Sequence, residues 1–222
     1  MVNGKVGVLT IGQSPRTDVT PSIQAILGNE IQIIERGGLD SLTEETLEEI
    51  APELSSTTYI SRLRNGKSVK IAKDKLLPLL QQELTALEEE ADVIIMLCTG
   101  DFPTLTTTKP IIYPDKVLSH SLQAIQKNGN LGLIIPLEEQ RESLIGKWKN
   151  LKMDIFVEVA SPYEESDIKG AGEKLKKKGA DVIVLDCMGY NEIQKQEVKQ
   201  VFGGPVILPR TLTARIAAEY VL

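Results

Sequence analysis

The two cysteines of the chain end the same ten-residue phrase. The first copy, residues 91–100, reads ADVIIMLCTG and the second, residues 180–189, reads ADVIVLDCMG, so that six of the ten positions are identical. Cys98 and Cys187 therefore each follow an apolar, β-branched run that is typical of a buried strand in a parallel sheet. The carboxyl ends of such strands form the ligand-binding edge of an α/β sheet. Two thiols at that edge could act as base and acid on one bound carbon.

The residue types in the chain narrow the chemistry open to these thiols. A cysteine hydrolase needs a base, usually histidine, and the one histidine, His120, falls within a predicted helix. A thiol has an ordinary pKa of about 8.5, so its surroundings must lower that pKa for it to act as a base near neutral pH. Both cysteines could instead be small buried hydrophobes. Their matched positions favour a functional pair.

Small and polar residues beside the thiols and after the first strand are the candidates for holding a carboxylate. A glycine stands two positions after each cysteine and lets backbone N–H groups approach a ligand closely. The loop after the first strand offers an amide, a hydroxyl and a guanidinium, although its arginine equally suits a solvent-facing position. The predicted substrate-binding residues are Gln13, Ser14, Arg16, Thr99, Gly100, Asp101, Met188, Gly189, Tyr190 and Thr211.

Three aspartates near these positions have structural interpretations. Asp101 could cap the turn that follows it, and Asp18 with Thr20 could cap a helix predicted over residues 21–27. Asp186 directly precedes the second cysteine, so strand alternation should point it to the opposite face. We expect Asp186 to be structural or to touch the cleft only from below.

Composition excludes several classes of function. The 222 residues are 41% hydrophobic and 25% charged, which is typical of a folded globular protein. A formal net charge of -6 argues against nucleic-acid binding, and no run approaches eighteen apolar residues, so no membrane span is expected. No secretory signal pattern opens the sequence, which favours the cytoplasm, where thiols stay reduced. One histidine and no nucleotide-binding glycine motif predict neither a metal nor a cofactor.

The order of predicted elements indicates a duplicated α/β architecture. Strand and helix alternate from the strand at residues 6–11, and the run at residues 131–135 repeats its second-position glycine and apolar character. We therefore predict two doubly wound α/β halves with a ligand cleft between them; one continuous sheet is the alternative. An Asn-Gly hairpin over residues 57–72 interrupts the first half. It could form a rim of the cleft, or a sheet-edge or subunit contact that makes a homodimer conceivable.

At these residues the sequence resembles the AroM family over essentially its whole length. The segments that carry the resemblance are LTIGQSPR at residues 9–16, the Cys98-Thr99-Gly100 turn, residues 179–190 and residues 213–219. AroM proteins in turn look like relatives of the aspartate/glutamate racemase superfamily, whose members have two pseudo-symmetric α/β domains and a cofactor-independent two-cysteine mechanism. The resemblance implies that Cys98 and Cys187 are the paired acid and base.

The resemblance also implies a domain division and a class of ligand. The final helix would return to the first domain, giving residues 1–112 plus 207–222 as one domain and 113–206 as the other. Residues near Gln13, Thr99 and Gly189 would hold a small-molecule carboxylate, an amino or hydroxy acid. Cys98 is followed by Thr-Gly rather than the Asn-Thr of glutamate racemases. The leading hypothesis is a racemase or isomerase; a non-catalytic binding or regulatory protein and a one-cysteine decarboxylase or isomerase are the alternatives.

Overall fold

Ten strands and seven helices are assigned in the structure, a computed structural model that describes residues 4–54, 56–126 and 128–221. The strands are β1 (Gly4–Thr10), β2 (Ile31–Gly37), β3 (Thr58–Arg62), β4 (Ser68–Ala72), β5 (Val93–Leu97), β6 (Ile111–Ile112), β7 (Asn130–Ile135), β8 (Asp154–Val159), β9 (Val182–Leu185) and β10 (Val206–Ile207). The helices are α1 (Thr20–Leu27), α2 (Lys73–Glu88), α3 (Pro114–Ile125), α4 (Arg141–Trp148), α5 (Ile168–Lys177), α6 (Glu192–Phe202) and α7 (Pro209–Val221).

Two four-stranded parallel sheets repeat one strand order. The first sheet runs β2-β1-β5-β6 and the second runs β8-β7-β9-β10. In each sheet the first strand of the half lies between the second strand and the cysteine strand, and a two-residue strand lies beyond the cysteine strand. This repeat confirms the predicted pair of pseudo-symmetric, doubly wound α/β halves. The alternative of one continuous sheet is wrong for the described residues, because the two sheets share no strand.

Glycines in the first strand of each half allow a helix to pack closely. A Cβ built on Gly7 would lie 2.8 Å from Cγ of Leu87, at the end of α2, and one built on Gly132 would lie 3.1 Å from Cδ1 of Leu175 in α5. A larger residue at either position would push the helix away from the sheet. The second-position glycines noted in the sequence therefore serve the same helix contact in both halves.

The beginning of the repeated phrase also has a structural role. Asp92 Oδ2 accepts the backbone N–H of Lys5 at 2.8 Å, and Asp181 Oδ2 accepts that of Asn130, also at 2.8 Å. Each aspartate thus satisfies a backbone donor at the start of the neighbouring strand. The fold accounts for the Ala-Asp start of the phrase and leaves its Cys-x-Gly end to be explained.

Three local predictions differ from the structure. Val19 occupies the N-cap of α1 and no side chain caps it, because Asp18 is ion-paired instead. The residues Thr43-Glu44-Glu45 are typical of a helix start, because acidic side chains favour the positive end of a helix, but the structure forms only a short 3-10 turn, Thr46–Ile50. The two-residue strand β6 has no counterpart in the prediction, since Ile111–Ile112 is too short for periodicity to reveal.

The C-terminal helix packs on the first sheet. Ala214 and Ala217 of α7 are fully buried in the same core as Val6 and Val8 of β1. The preceding strand β10 belongs to the second sheet. The division into residues 1–112 plus 207–222 and 113–206 stays a prediction, as does a homodimer.

The β3–β4 hairpin reaches from the first half to the second. Gln140 Nε2 donates to the Thr58 carbonyl at 3.0 Å, and Lys70 forms an ion pair with Glu139. Both partners lie just before α4 in the second half. The hairpin therefore bridges the two halves beside the carboxyl edges of both sheets.

Candidate functional site

A small cavity lies between the two halves, and both cysteines line it. Its free volume is about 30 Å³, well below the roughly 300–1,000 Å³ of a typical ligand pocket. Residues from the hairpin, from both cysteine turns and from the start of α4 form its wall. They are Thr58, Tyr59, Ile60, Cys98, Thr99, Gly100, Pro136, Gln140, Ser143, Leu144, Asp186 and Cys187.

The first cysteine turn holds its sulfur against a backbone donor and under a tyrosine ring. Gly100 donates its N–H to Cys98 Sγ at 3.3 Å. Tyr59 covers Gly100 so closely that a Cβ there would lie 2.7 Å from the ring, and the Tyr59 hydroxyl donates to the Asp101 carbonyl at 3.2 Å. Burial raises the pKa of Cys98 to about 12, against the opposing effect of the Gly100 N–H and with repulsion from Cys187. Cys98 is therefore held as a neutral thiol.

The second cysteine turn repeats this arrangement with different side chains. Gly189 donates its N–H to Cys187 Sγ at 3.4 Å, and Tyr163 covers that glycine at 2.6 Å from a hypothetical Cβ. The Tyr163 hydroxyl lies 3.8 Å from Cys187 Sγ. Burial raises the pKa of Cys187, while the Gly189 N–H, the Tyr163 hydroxyl and the Arg16 charge each oppose that rise. The lowered pKa expected for a thiol base is therefore found at neither cysteine in the closed cleft, but Cys187 has more groups that favour its ionised form.

A buried ion pair ties the first cysteine turn to the second half. Lys147 Nζ donates to Asp186 Oδ1 at 2.6 Å and to the Thr99 carbonyl at 3.0 Å, and Trp148 Nε1 donates to Asp186 Oδ2 at 2.9 Å. The Asp186 side chain is 0% exposed and that of Lys147 is 10% exposed. Asp186 was predicted to be structural or to touch the cleft only from below. In the structure these donors engage its carboxylate, and the residue is also part of the cavity wall. The Lys147 charge also lowers the pKa of the Cys98 thiol, although burial outweighs it.

Arg16 lies deep in the first half, where its hydrogen bonds are internal. Its guanidinium pairs with both carboxylate oxygens of Asp18 at 2.8 Å and donates to the hydroxyls of Thr10 and Ser61 at 3.1 and 3.2 Å. Burial alone would lower the pKa of Arg16, but the Asp18 hydrogen bond, together with the nearby Tyr163, raises it above its usual value. Arg16 is thus a fixed cation near the second cysteine turn and is not solvent-facing.

The two other residues predicted in this loop face an internal carboxylate. Ser14 donates its N–H and its hydroxyl to Asp40, each at 2.6 Å. Gln13 donates to the Leu39 carbonyl at 3.2 Å and accepts the Arg64 N–H at 2.9 Å. The loop does hold a carboxylate, as its residue types suggest, but that carboxylate is Asp40. Neither Gln13 nor Ser14 lines the cavity.

The predicted residues after the second cysteine serve the contact between halves. Met188 is buried in the core of the first half, with 2% of its surface exposed. The carbonyls of Met188 and Gly189 accept Arg210 Nε and Nη2 at 3.0 and 2.7 Å. Arg210 also donates to the Asp18 carbonyl at 2.9 Å, so it locks this turn against the first half.

Three further predicted residues do not reach the cavity. Asp101 is exposed and lies 3.8 Å from Lys116, and Thr211 donates to the carbonyl of Leu208, one turn back in the chain, at 3.1 Å. Tyr190 is fully buried in the second core and donates to a main-chain carbonyl at 2.6 Å. Of the predicted binding residues, Thr99 and Gly100 line the cavity beside the two cysteines.

Sequence reasoning missed four residues that shape the site: Tyr59, Tyr163, Lys147 and Gln140. A signal existed for the tyrosines, because each follows the second strand of its half and precedes the helix that leads to a cysteine strand. Comparing the two halves position by position would have found this pair. Lys147 and Gln140 have no such counterpart. Gln140 lines the cavity, and Lys147 bonds the Thr99 carbonyl of the first cysteine turn, only because the halves are in contact.

Comparisons with known proteins give a family and similar folds. The family model described as AroM protein matches residues 6–221. An arylmalonate decarboxylase structure superposes with a TM-score of 0.63 at 14% identity, covering 98% of this chain and 92% of the other. A glutamate racemase from Bacillus anthracis gives 0.63 at 15%, covering 99% and 82%. A maleate isomerase from Pseudomonas putida gives 0.58 at 12%, covering 98% and 92%.

These structures share the two-domain fold of the aspartate/glutamate racemase superfamily.

A search of curated protein sequences finds no match to this chain. Among the residues that the structure describes, no helix is long and apolar enough to span a bilayer. Within the same residues, no three His, Cys, Asp or Glu side chains are grouped in a way that could hold a metal ion.

Proposed function

This chain belongs to the AroM family and has the racemase-like fold, and from these premises we propose that it is a cofactor-independent racemase or isomerase of a small carboxylate. Cys98 and Cys187 act as acid and base on the carbon beside the carboxylate. The single observation that carries the proposal is that both thiols line one cavity and accept the same backbone hydrogen bond, at 3.3 and 3.4 Å. Packing alone gives no reason for that duplication.

The different surroundings of the thiols suggest which role each takes in one direction. Cys187, beside Tyr163 and Arg16, serves as the thiolate that removes the proton from the substrate carbon. The electron pair of the broken C–H bond moves into the carboxylate. Cys98, kept neutral by burial, then donates its proton to the opposite face of the carbon. The reverse direction exchanges the two roles.

Substrate binding requires the cleft to widen. The cavity of about 30 Å³ is far smaller than the roughly 300–1,000 Å³ of a typical ligand pocket. The exposed hairpin contacts that bridge the halves, such as the Lys70–Glu139 pair, offer a boundary that can separate at little cost. After closure, water is excluded and the two thiols act in a dry environment, where charge interactions are stronger. We place the enzyme in the cytoplasm, since its chemistry needs reduced thiols.

Exchange of the substrate Cα hydrogen with solvent deuterium tests this function. Wild-type protein is incubated in D₂O with a panel of amino and hydroxy acids and followed by proton NMR. We expect exchange with at least one member, and its loss, by more than about a hundredfold, in both Cys98→Ser and Cys187→Ser. His120→Asn, on the exposed face of α3, is the control and should exchange like wild type. No exchange across the panel would reject the proposal.

A one-cysteine decarboxylase is the second candidate, favoured because the two thiols stand in different electrostatic surroundings. In that reaction the bond to the departing carboxylate breaks, CO₂ leaves, and one thiol protonates the carbanion. One of the similar structures is a liganded arylmalonate decarboxylase variant in which a glycine was changed to cysteine and a cysteine to serine. Release of CO₂ from a substituted malonate, with only one cysteine required, would support this reading. Ligand-dependent stabilisation that survives both cysteine substitutions would instead indicate a binding protein.

A further inference from the structure

Gln140 is part of the cavity wall, and its side-chain oxygen is buried without a hydrogen-bond donor in the described part of the chain. The residue is 7% exposed, and its side-chain Oε1 has no hydrogen-bond partner among the described residues. The wall includes the apolar residues Ile60, Pro136 and Leu144, and none of the thiols and hydroxyls in it donates to this oxygen. A buried acceptor without a donor is unfavourable and rare in folded proteins. A donor from outside the protein is therefore needed to satisfy it.

The other end of the same amide fixes the orientation of this oxygen. Nε2 of Gln140 donates to the main-chain carbonyl of Thr58 at 3.0 Å. Because a carbonyl can only accept, the NH₂ end must face Thr58 and the oxygen must occupy the other position. The nearby Ser143 hydroxyl already donates to the Gln140 main-chain carbonyl at 2.9 Å. Oε1 is thus a fixed acceptor in a site that has few other free polar groups.

We propose that Gln140 Oε1 accepts a hydrogen bond from the substituent on the reacting carbon, which makes the ligand an α-amino or α-hydroxy carboxylate. This inference rests on the proposed function and sharpens its substrate class. In the closed, ligand-free cleft Oε1 is buried and has no donor from the residues that the structure describes. An ammonium or hydroxyl group would supply that donor once the cleft widens to admit the ligand, whereas a methyl group would leave the oxygen unpaired. A site built to bond a polar substituent discriminates strongly against an analogue that lacks it.

Two sets of matched ligands test this assignment by direct binding. Alanine, lactate and isobutyrate differ only in the amino, hydroxyl or methyl group on one carbon, and aspartate, malate and methylsuccinate repeat the series with a second carboxylate. Dissociation constants are measured by NMR titration for wild type and Gln140→Met. We expect wild type to bind the amino or the hydroxy member of one series at least about tenfold more tightly than its methyl member. In Gln140→Met that preference should disappear, so that the polar and methyl members bind with about equal affinity.

The amino and hydroxy arms distinguish the two sources of the donor, and Gln123→Met makes the same chemical change on the exposed surface of α3. That control should keep the wild-type preference. The proposal is overturned if wild type shows no preference, if the preference persists in Gln140→Met, or if that variant weakens all members equally. The last result would limit Gln140 to holding the hairpin through Thr58. Absence of binding by all six also overturns it, while deuterium exchange with another carboxylate would leave the proposed function standing.

Discussion

The Cys98 turn and the Cys187 turn receive the same backbone hydrogen bond but stand in different electrostatic surroundings. Gly100 and Gly189 donate to the two sulfurs at 3.3 and 3.4 Å, and a tyrosine ring covers each glycine. The Tyr163 hydroxyl, however, approaches Cys187, whereas the Tyr59 hydroxyl bonds a main-chain carbonyl. A duplicated backbone thus supplies two similar thiols, and side chains that are not duplicated make them unequal.

The cation near each thiol belongs to the other half of the molecule. Lys147 of the second half lies near the thiol of the first, and Arg16 of the first half lies near the thiol of the second. Each charge opposes the rise in thiol pKa that burial causes. Their anchors differ, because Lys147 pairs with the buried Asp186 next to Cys187, while Arg16 pairs with Asp18 in its own loop. The site therefore depends on both halves being in contact.

The largest expected effect follows from breaking the buried Lys147–Asp186 ion pair, whose lysine also bonds the first cysteine turn. Lys147→Met leaves the Asp186 carboxylate, which is 0% exposed, without its cation. We expect the free energy of unfolding to fall by about 3 kcal/mol, as for other buried pairs that lose one partner. Urea unfolding of the variant measures this. Asp186→Asn in the same chain should restore part of the loss, since an amide needs no cation.

Lys169→Met is the matched control for that prediction. Lys169 pairs with Glu197 at 3.5 Å, with side chains 53% and 36% exposed, so its removal should cost less than about 0.5 kcal/mol. An equal loss in the two variants would show that Lys147 contributes as an ordinary surface residue. The proposed dependence of the Cys98 turn on the second half would then lack its main support.

The second prediction concerns stability at high pH. Burial raises the pKa of Cys98 from 9.0 to about 12 and raises that of Cys187 as well. Unfolded thiols therefore ionise first, so stability is complete below about pH 9 and falls as the pH rises toward the folded-state pKa. Each raised thiol contributes at most about 1.4 kcal/mol per pH unit. Tyr59 and Tyr163 also have raised pKa values, but unfolded tyrosines ionise only at about pH 10, so the loss of stability that begins at about pH 8.5 comes first from the thiols.

Serine variants of each cysteine separate the two contributions. Cys98→Ser and Cys187→Ser should each reduce the loss of stability between pH 8.5 and 10 in urea titrations, with the larger reduction for Cys98→Ser because more groups oppose the shift at Cys187. Identical pH profiles for wild type and both variants would contradict the assigned burial of the thiols.

The sequence was sufficient to predict what both halves share. The repeated phrase, with Gly7 and Gly132 ahead of it, located the strands, the duplication and the two cysteines, because these depend on apolar periodicity and close packing. Residues that act across the halves were not predictable in this way. Lys147 lies on an ordinary-looking helix, and its role depends on how the halves meet.

The loop after β1 shows a second limit of sequence reasoning, which concerns the partner of a recognised residue. Gln13 and Ser14 have the residue types that bind a carboxylate, and Ser14 does bind one, but the partner is Asp40 of the same half. Residue type predicts the kind of group that is bound and does not say whether that group is a ligand. Asp18 illustrates the same limit, since a good capping residue is engaged by Arg16 instead.

The third prediction tests whether the two halves are equivalent at the aspartates that begin the repeated phrase. Asp92→Ala and Asp181→Ala each remove one acceptor from a backbone N–H bond of 2.8 Å. We expect each to lower the free energy of unfolding by about 1 kcal/mol, with equal effects and unchanged deuterium exchange. Asp101→Ala, whose ion pair with Lys116 is exposed and 3.8 Å long, should cost less than about 0.3 kcal/mol. Unequal losses at Asp92 and Asp181 would break the structural equivalence.

The smallest expected effect separates the tyrosines. In a Cys98→Ser background, Tyr163→Phe removes the hydroxyl 3.8 Å from Cys187 Sγ, so the thiol pKa should rise and iodoacetamide should react about threefold more slowly at pH 8. In a Cys187→Ser background, Tyr59→Phe leaves the Cys98 rate unchanged, because its hydroxyl bonds the Asp101 carbonyl. Equal slowing in both backgrounds would mean that the tyrosines act only by covering the glycines. The difference between the thiols would then depend on Arg16 and Lys147 alone.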